Sequence, residues 1–177
     1  TFDDGYKSNL RAAEILSNYN ANATFFITKV FINNNQYLTD SEILTLANNF
    51  DIGSHSISHP NLTRLTEEEL KTELVNSKNW LEDHCGKEIK SFSIPNGYFN
   101  NNIIYSAKDV GYSLIGNSVE WTNNTLIVSE KRTINRIAVR STMSSKNIID
   151  IINKNYIYLI KRRMRSGVLY IPKKILF

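Results

Sequence analysis

Apolar positions along the chain change their period several times, and each change marks an element. From Tyr6 to Asn20, Leu10, Ala13, Ile15 and Leu16 fall near one face at helical spacing. Ala23 to Thr28 is a short apolar, β-type run and reads as a buried strand. Ser41 opens a helix carrying Ile43, Leu44, Leu46 and Ala47, and Asp51 to His55 reads as a strand that ends in polar chemistry. Thr66 with Glu69 forms a capping box, followed by Leu70, Leu74, Ser77 and Leu81 on a helix that Gly86 closes. Ser91 to Ile94 predicts a strand, Asn101 to Val110 a helix ended by Gly111, and Leu114–Ile115 and Arg136 to Val139 two more strands. Asn147 to Met164 reads as one long, basic helix.

Strands that alternate with helices of this length argue an α/β fold with parallel strands and right-handed crossovers. In such folds chemistry gathers where strands end and loops begin. Asp3-Asp4, His55 and Pro95-Asn96-Gly97 all fall at expected strand ends.

Composition narrows the picture. A chain of 177 residues suits a single domain, 1–177, with one core. No apolar run approaches the ~18 residues of a membrane-spanning helix. The chain opens abruptly on Thr1-Phe2-Asp3-Asp4-Gly5, so the strand that should carry this motif is expected to be truncated. The single cysteine, Cys85, excludes an intrachain disulfide and a cysteine-rich metal site. Charge is uneven. After Asp150 there is no acidic residue but seven basic ones, leaving a net of −3 for the rest. Such a basic helical tail, 147–177, would attract a membrane surface or an anionic glycan, or be no more than a solvated helix end. No nucleic-acid motif accompanies it, so nucleic acid is not expected as a partner.

The candidate chemistry rests on two elements. Adjacent carboxylates are common on surfaces, but Asp3-Asp4 follow an apolar pair and precede a glycine, as if a strand ended in a sharp turn. Successive side chains there point apart, so one carboxylate can bind metal while the other accepts a proton. His55-Ser56-Ile57-Ser58-His59 supplies two of the chain's three histidines at i and i+4. On a helical turn that spacing lets two imidazoles meet one cation.

Together with Ile94-Pro95-Asn96-Gly97, Ala23-Thr24-Phe25-Phe26 and the Gly111-Tyr112 turn, these motifs resemble the polysaccharide deacetylases, carbohydrate esterase family four or the NodB-homology domain. The resemblance runs from residue 1 to about Val139. Asp3-Asp4-Gly5-Tyr6 and Phe92-Ser93-Ile94-Pro95 look closer to the poly-N-acetylglucosamine deacetylase type than to the peptidoglycan type. It implies a deformed (β/α) barrel, seven-stranded, and a divalent metal held by Asp4, His55 and His59. Zinc is expected from the ligand type, with cobalt, nickel or iron as alternatives. Asp3 would be the catalytic base and the Asn96 main-chain N–H an oxyanion donor, with Pro95, Gly97, Tyr98 and Arg136 lining the substrate.

Two departures stand out. The family's third motif is Arg-x-Pro-aromatic-Gly, its arginine orienting the base; here Ser93 and Asn96 replace the arginine and the aromatic. On the sequence, the base lacks its usual partner. The family's late histidine, a general acid, is also missing, since no histidine follows His84. Either another group is the acid, or Asp3 returns the proton it took, or catalysis is weak. Arg136 resembles an arginine near the end of related deacetylases; it faces the site or is a plain surface residue. The implied activity is removal of acetyl groups from N-acetylated sugars of an N-acetylglucosamine-containing glycan. The competing reading is a silent, metal-containing glycan-binding domain. A secreted or cell-envelope location is the family's habit, and a cytoplasmic one stays open.

Overall fold

The computed structural model describes residues 1–164. Five short strands make one sheet in chain order: β1 (Thr24–Ile27), β2 (Asp51–Ser54), β3 (Ser91–Ser93), β4 (Leu114–Asn117) and β5 (Thr133–Asn135). All neighbours pair in parallel, with Ile27 opposite Ser54, Ser93 opposite Gly116 and Asn117 opposite Asn135. The strand ends are therefore level along one edge. Beyond β1 the opening residues extend the sheet: Phe2 donates to Thr24 O at 3.0 Å and accepts from Phe26 N at 2.7 Å. Asp3 and Asp4 thus sit at the same edge as the other strand ends. Among the described residues the sheet is an open arc; a seven-stranded closed barrel is not formed by them.

The helix α1 (Asn9–Asn18) precedes β1, and α2 (Asp40–Asn49), α3 (Glu67–Cys85), α4 (Asn101–Asp109) and α5 (Thr125–Lys131) cross between successive strands. The capping box at Thr66 and Glu69 forms, and Gly86 ends α3 in the left-handed conformation, φ +65°, that glycine adopts without steric cost. A second capping box, Thr39 with Glu42, starts α2 one residue earlier than expected. Leu70, Leu74, Ser77 and Leu81 are all buried on α3, against Phe25, Ile52, Phe92 and Ile115 of the strands. Each such apolar side chain contributes about 1.5–3 kcal/mol by leaving water. That packing holds the strand ends in place, and the site is built on them.

Several expectations need correction. Ile15 and Leu44 are exposed rather than part of the buried faces. Arg136 to Val139 is not a strand; β5 comes just before it, and α5 precedes β5 as a short Thr-Leu-Ile-Val-Ser-Glu-Lys segment whose adjacent apolar residues show no helical period. The long basic helix is two. The helix α6 (Ser145–Ile152) stops at Asn153, Lys154 turns left-handed at φ +52°, and Asn155 restarts a helix over 156–164 by accepting from Tyr158 N. Asparagine satisfies backbone donors at helix starts, so an Asn-Lys-Asn run breaks a helix in a place that hydropathy alone does not mark. Within that second helix Arg162 turns inward, donating to both Glu120 oxygens (2.7 and 2.8 Å) and to Ala138 O (2.6 Å). Arg165, Lys173 and Lys174 of the basic tail lie outside the described residues. No helix among the described residues is long and apolar enough to cross a membrane.

Candidate metal and acyl-transfer site

Asp4 and Gly5 both adopt left-handed backbone conformations, φ +71° and +75°, two residues beyond the bridge that Phe2 makes to β1. This double turn swings Asp4 away from Asp3, so the adjacent carboxylates serve different neighbours. His55 follows β2 directly; its N–H donates to Ile27 O at 2.9 Å, continuing the β1–β2 ladder, and the residue is only 2% exposed. His59 is not on a helical turn with it. The two are joined by a loop with left-handed residues at Ser56 and His59, stapled to α3 by Glu73, which accepts from Ile57 N (2.8 Å) and Ser58 N (3.0 Å). Glu73 gives no signal in the sequence: it looks like any polar residue on a helix surface.

The loop brings His59 Nε2 to 3.3 Å from Asp4 Oδ1, while His55 Nε2 stands 3.4 Å from the same oxygen. The three ligand atoms lie within 4.8 Å of one another. His55 Nδ1 is 2.7 Å from Ser93 O, and since a carbonyl can only accept, Nδ1 carries the proton and Nε2 presents its lone pair inward. Asp4 Oδ1 is buried and has no hydrogen-bond partner. An unsatisfied buried carboxylate oxygen facing two imidazoles is costly unless something positive sits among them. The donor set, two nitrogens and one oxygen, suits zinc with a position left open for water. The residues fit a divalent cation. Burial would raise the Asp4 carboxyl pKa, but the two imidazoles outweigh it and hold the pKa far below the usual carboxylate range.

Asp3 lies on the other side of this cradle, Oδ2 3.9 Å from His55 Nε2. Its partner is Arg136, just past β5: one terminal nitrogen donates to Oδ1 at 2.7 Å and the other to Oδ2 at 3.0 Å. The same guanidinium donates to Ser93 Oγ (2.7 Å) and, through Nε, to Asn117 O (3.2 Å), and Ser93 Oγ itself donates to Asp3 Oδ2 at 3.2 Å. Gly116 makes room, since a Cβ there would stand 3.0 Å from Arg136 Nε. The expectation that the base has no cationic partner is overturned. Arg136 is no surface arginine, and its guanidinium is taken up by Asp3, Ser93 and Asn117 rather than held out toward substrate. Burial would raise the Asp3 pKa, but Arg136, His55 and Ser93 bring it below the ordinary carboxylate value.

At the end of β3, Pro95–Gly97 forms a single 3-10 turn with Asn96 left-handed at φ +58°. Pro95 and Gly97 are buried, Tyr98 is half-buried and Asn96 is exposed. The turn starts two residues after Ser93, the residue that touches both Asp3 and His55. His84, the third histidine, is elsewhere, stacked on Trp80 and donating to Asp40 O at 3.1 Å.

Residues 1–115 match the family model described as polysaccharide deacetylase, and that stretch holds both carboxylates, both histidines and the Pro-Asn-Gly turn. The chain belongs to the polysaccharide deacetylase family. A peptidoglycan-N-acetylglucosamine deacetylase of Bacillus cereus is 30% identical over 117 residues, 65% of this chain and 53% of that protein. The deacetylase PplD of Streptococcus pyogenes, solved with acetate, superposes with a TM-score of 0.77 at 22% identity, over 84% of this chain and 67% of that one. IcaB from Ammonifex degensii superposes at 0.70 and 17% identity, over 79% and 66%. At those identities the structures establish a shared α/β fold. This polysaccharide deacetylase chain spans about half the length of the curated relatives it matches.

Proposed function

We propose that this chain hydrolyses the N-acetyl groups of an N-acetylglucosamine-containing glycan, with Asp4, His55 and His59 holding a divalent cation and Asp3 moving the proton. One observation carries the reading: the orphaned Asp4 oxygen between two imidazoles lies beside a second carboxylate locked by Arg136. When bound, a divalent cation supplies Lewis acidity, bringing the pKa of water from ~15.7 toward ~7 and polarising a carbonyl. Asp3, ionised and fixed by Arg136, takes the proton of the attacking water. The Asn96 main-chain N–H faces the charge that develops on the acetyl oxygen, and Pro95, Gly97 and Tyr98 border the sugar.

His84 is tied to Asp40, away from the cradle, whereas the Asp3 carboxylate stands beside it, so Asp3 is assigned the return of the proton to the departing amine as well. The low pKa imposed by Arg136 makes Asp3 a weaker base but a readier acid. Zinc is the cation favoured by the ligands. Both the B. cereus relative's name and the likeness of the third motif to poly-N-acetylglucosamine deacetylases point to N-acetylglucosamine. The Asp3–Arg136 pair weighs against a silent glycan-binding role, for which the lost arginine was half the support. Acetate release from N-acetylglucosamine oligomers, assayed with the copurifying metal and with added zinc, tests the proposal; binding without any release would leave the silent reading in its place.

A further inference from the structure

A row of aromatic rings leads out from the metal cradle. Phe31, on the 3-10 turn after β1, packs 5.7 Å from the ring of His59. Tyr37 stacks on Phe31 at 4.7 Å with the planes 29° apart, and Tyr6 stacks on Tyr37 at 4.8 Å and 21°. The far end of the row returns to the site through the chain, since Tyr6 is two residues from Asp4. Electrostatics agrees with this placement. The Tyr37 phenol pKa is pushed up, first by its hydrogen bond to Tyr6 and in smaller part by the charge of Asp4.

The arrangement is rigid. Residues 5–7 and 36–38 clasp as an antiparallel pair, with Lys7 N donating to Gln36 O at 2.8 Å and Leu38 N to Gly5 O at 2.9 Å. The loop between β1 and α2 is braced further by Asn33, which donates to Asp40, and by Asn34, which donates to Val30 O and Phe31 O. Asn35 and Gln36 at its tip are exposed. Tyr6, at the end of the row, keeps 40% of its surface open although one ring face is covered.

A lone exposed tyrosine needs no explanation. A tyrosine fixed flat on another ring, at the rim of a metal cradle and with amide side chains close by, has the composition of a sugar-binding surface. Pyranose rings present a face of C–H groups that suits the negative face of an aromatic ring, while their hydroxyls need amides and water. Fixing the ring in advance avoids an ordering cost at the moment of binding. We propose that Tyr6, seated on Tyr37, is a stacking platform for one pyranose ring of the glycan, in a subsite beside the metal cradle. The proposal rests on the glycan reading of the site, not on hydrolysis there.

The test is calorimetric titration of the full chain, without added metal, using the N-acetylglucosamine pentamer. Tyr6→Ala should weaken binding about tenfold, and Tyr6→Leu, which keeps apolar bulk against Tyr37 but has no flat face, should weaken it similarly. Tyr6→Phe should bind within twofold of wild type, as should Tyr105→Ala, which removes an exposed tyrosine on α4. Circular dichroism confirms that each variant is folded, and Tyr6→Leu decides the matter if Tyr6→Ala is not. Wild-type affinity in Tyr6→Leu, equal loss in Tyr6→Phe, or no pentamer binding by the wild type overturns the platform. Tyr6-dependent binding with no acetate release supports the platform while removing the deacetylase reading.

Discussion

Arg136 and Asp3 are 133 residues apart in sequence and share two parallel hydrogen bonds, 2.7 and 3.0 Å long. Bidentate pairing fixes a carboxylate in rotation as well as position, and lysine cannot reproduce it. Arg136→Met should therefore lower kcat by about 10²-fold, within the range that a positioned base supplies, while metal content stays at the wild-type level. Arg136→Lys should recover only a small part. If Arg136→Met keeps kcat within threefold, the pair does not orient the base.

Asp3→Asn should remove turnover by about 10²–10⁴-fold and leave the cation bound, because Asp4 and the two imidazoles are untouched. Steady-state kinetics and metal analysis on one preparation check both halves. Turnover within tenfold of wild type would mean that another group moves the proton.

His59→Ala should strip the cation and lower activity by about 10³-fold, the contribution expected of a Lewis acid. The fold should hold, because His59 sits on a loop above the core and is itself partly exposed. Stoichiometric metal in this variant would contradict the ligand assignment. Glu73→Gln offers a graded comparison: the loop loses charge-assisted bonds, so metal affinity should fall by about 10–100-fold without being abolished.

A prediction about stability concerns Lys78 and Glu82 on α3. Lys78 is buried, pairs with Glu82 and donates to Ile89 O at 2.8 Å, while Ile89 N donates to Glu82 at 2.9 Å. Burial would raise the Glu82 pKa, but Lys78 and the Ile89 N–H together lower it. A depressed carboxyl stabilises the fold fully above its unfolded pKa, ~4.3, and that stabilisation is lost as pH falls through the lower folded value. Glu82→Gln should cost about 1–3 kcal/mol at pH 7, and the gap to wild type should narrow below pH 4. Urea melts across pH 3–7 measure it; a gap that widens in acid would reverse the sign and sink the explanation.

The Asp4, His55 and His59 cluster was legible because each residue lies in a local motif whose residue types already suggest a shared cation. The capping box at Thr66, the buried stripe of α3 and the Gly86 stop were legible for the same reason: their causes are contained within a few residues. What joins distant segments was not. The i,i+4 spacing of His55 and His59 suggested a helical turn, yet a loop satisfies it once Glu73 is counted, and Glu73 becomes visible only after α3 has docked. Arg136 could be noticed but not placed, since nothing near it in sequence requires Asp3. Likewise the break at Lys154 depends on Asn155 capping a new helix, a local preference that a strongly apolar pattern hides.

Ser93 stands where relatives with the full third motif carry arginine, and its small side chain leaves the space that the Arg136 guanidinium fills. Charge is felt through distance, not through position in an alignment. A cation delivered from beyond β5, at the far edge of the sheet, reaches the Asp3 carboxylate and Ser93 on β3 together. By motif position the arginine is replaced at Ser93; in space a guanidinium is still supplied, from Arg136. Chains set aside as degenerate for a lost motif arginine therefore call for a search of their later strand ends before they are counted as inactive.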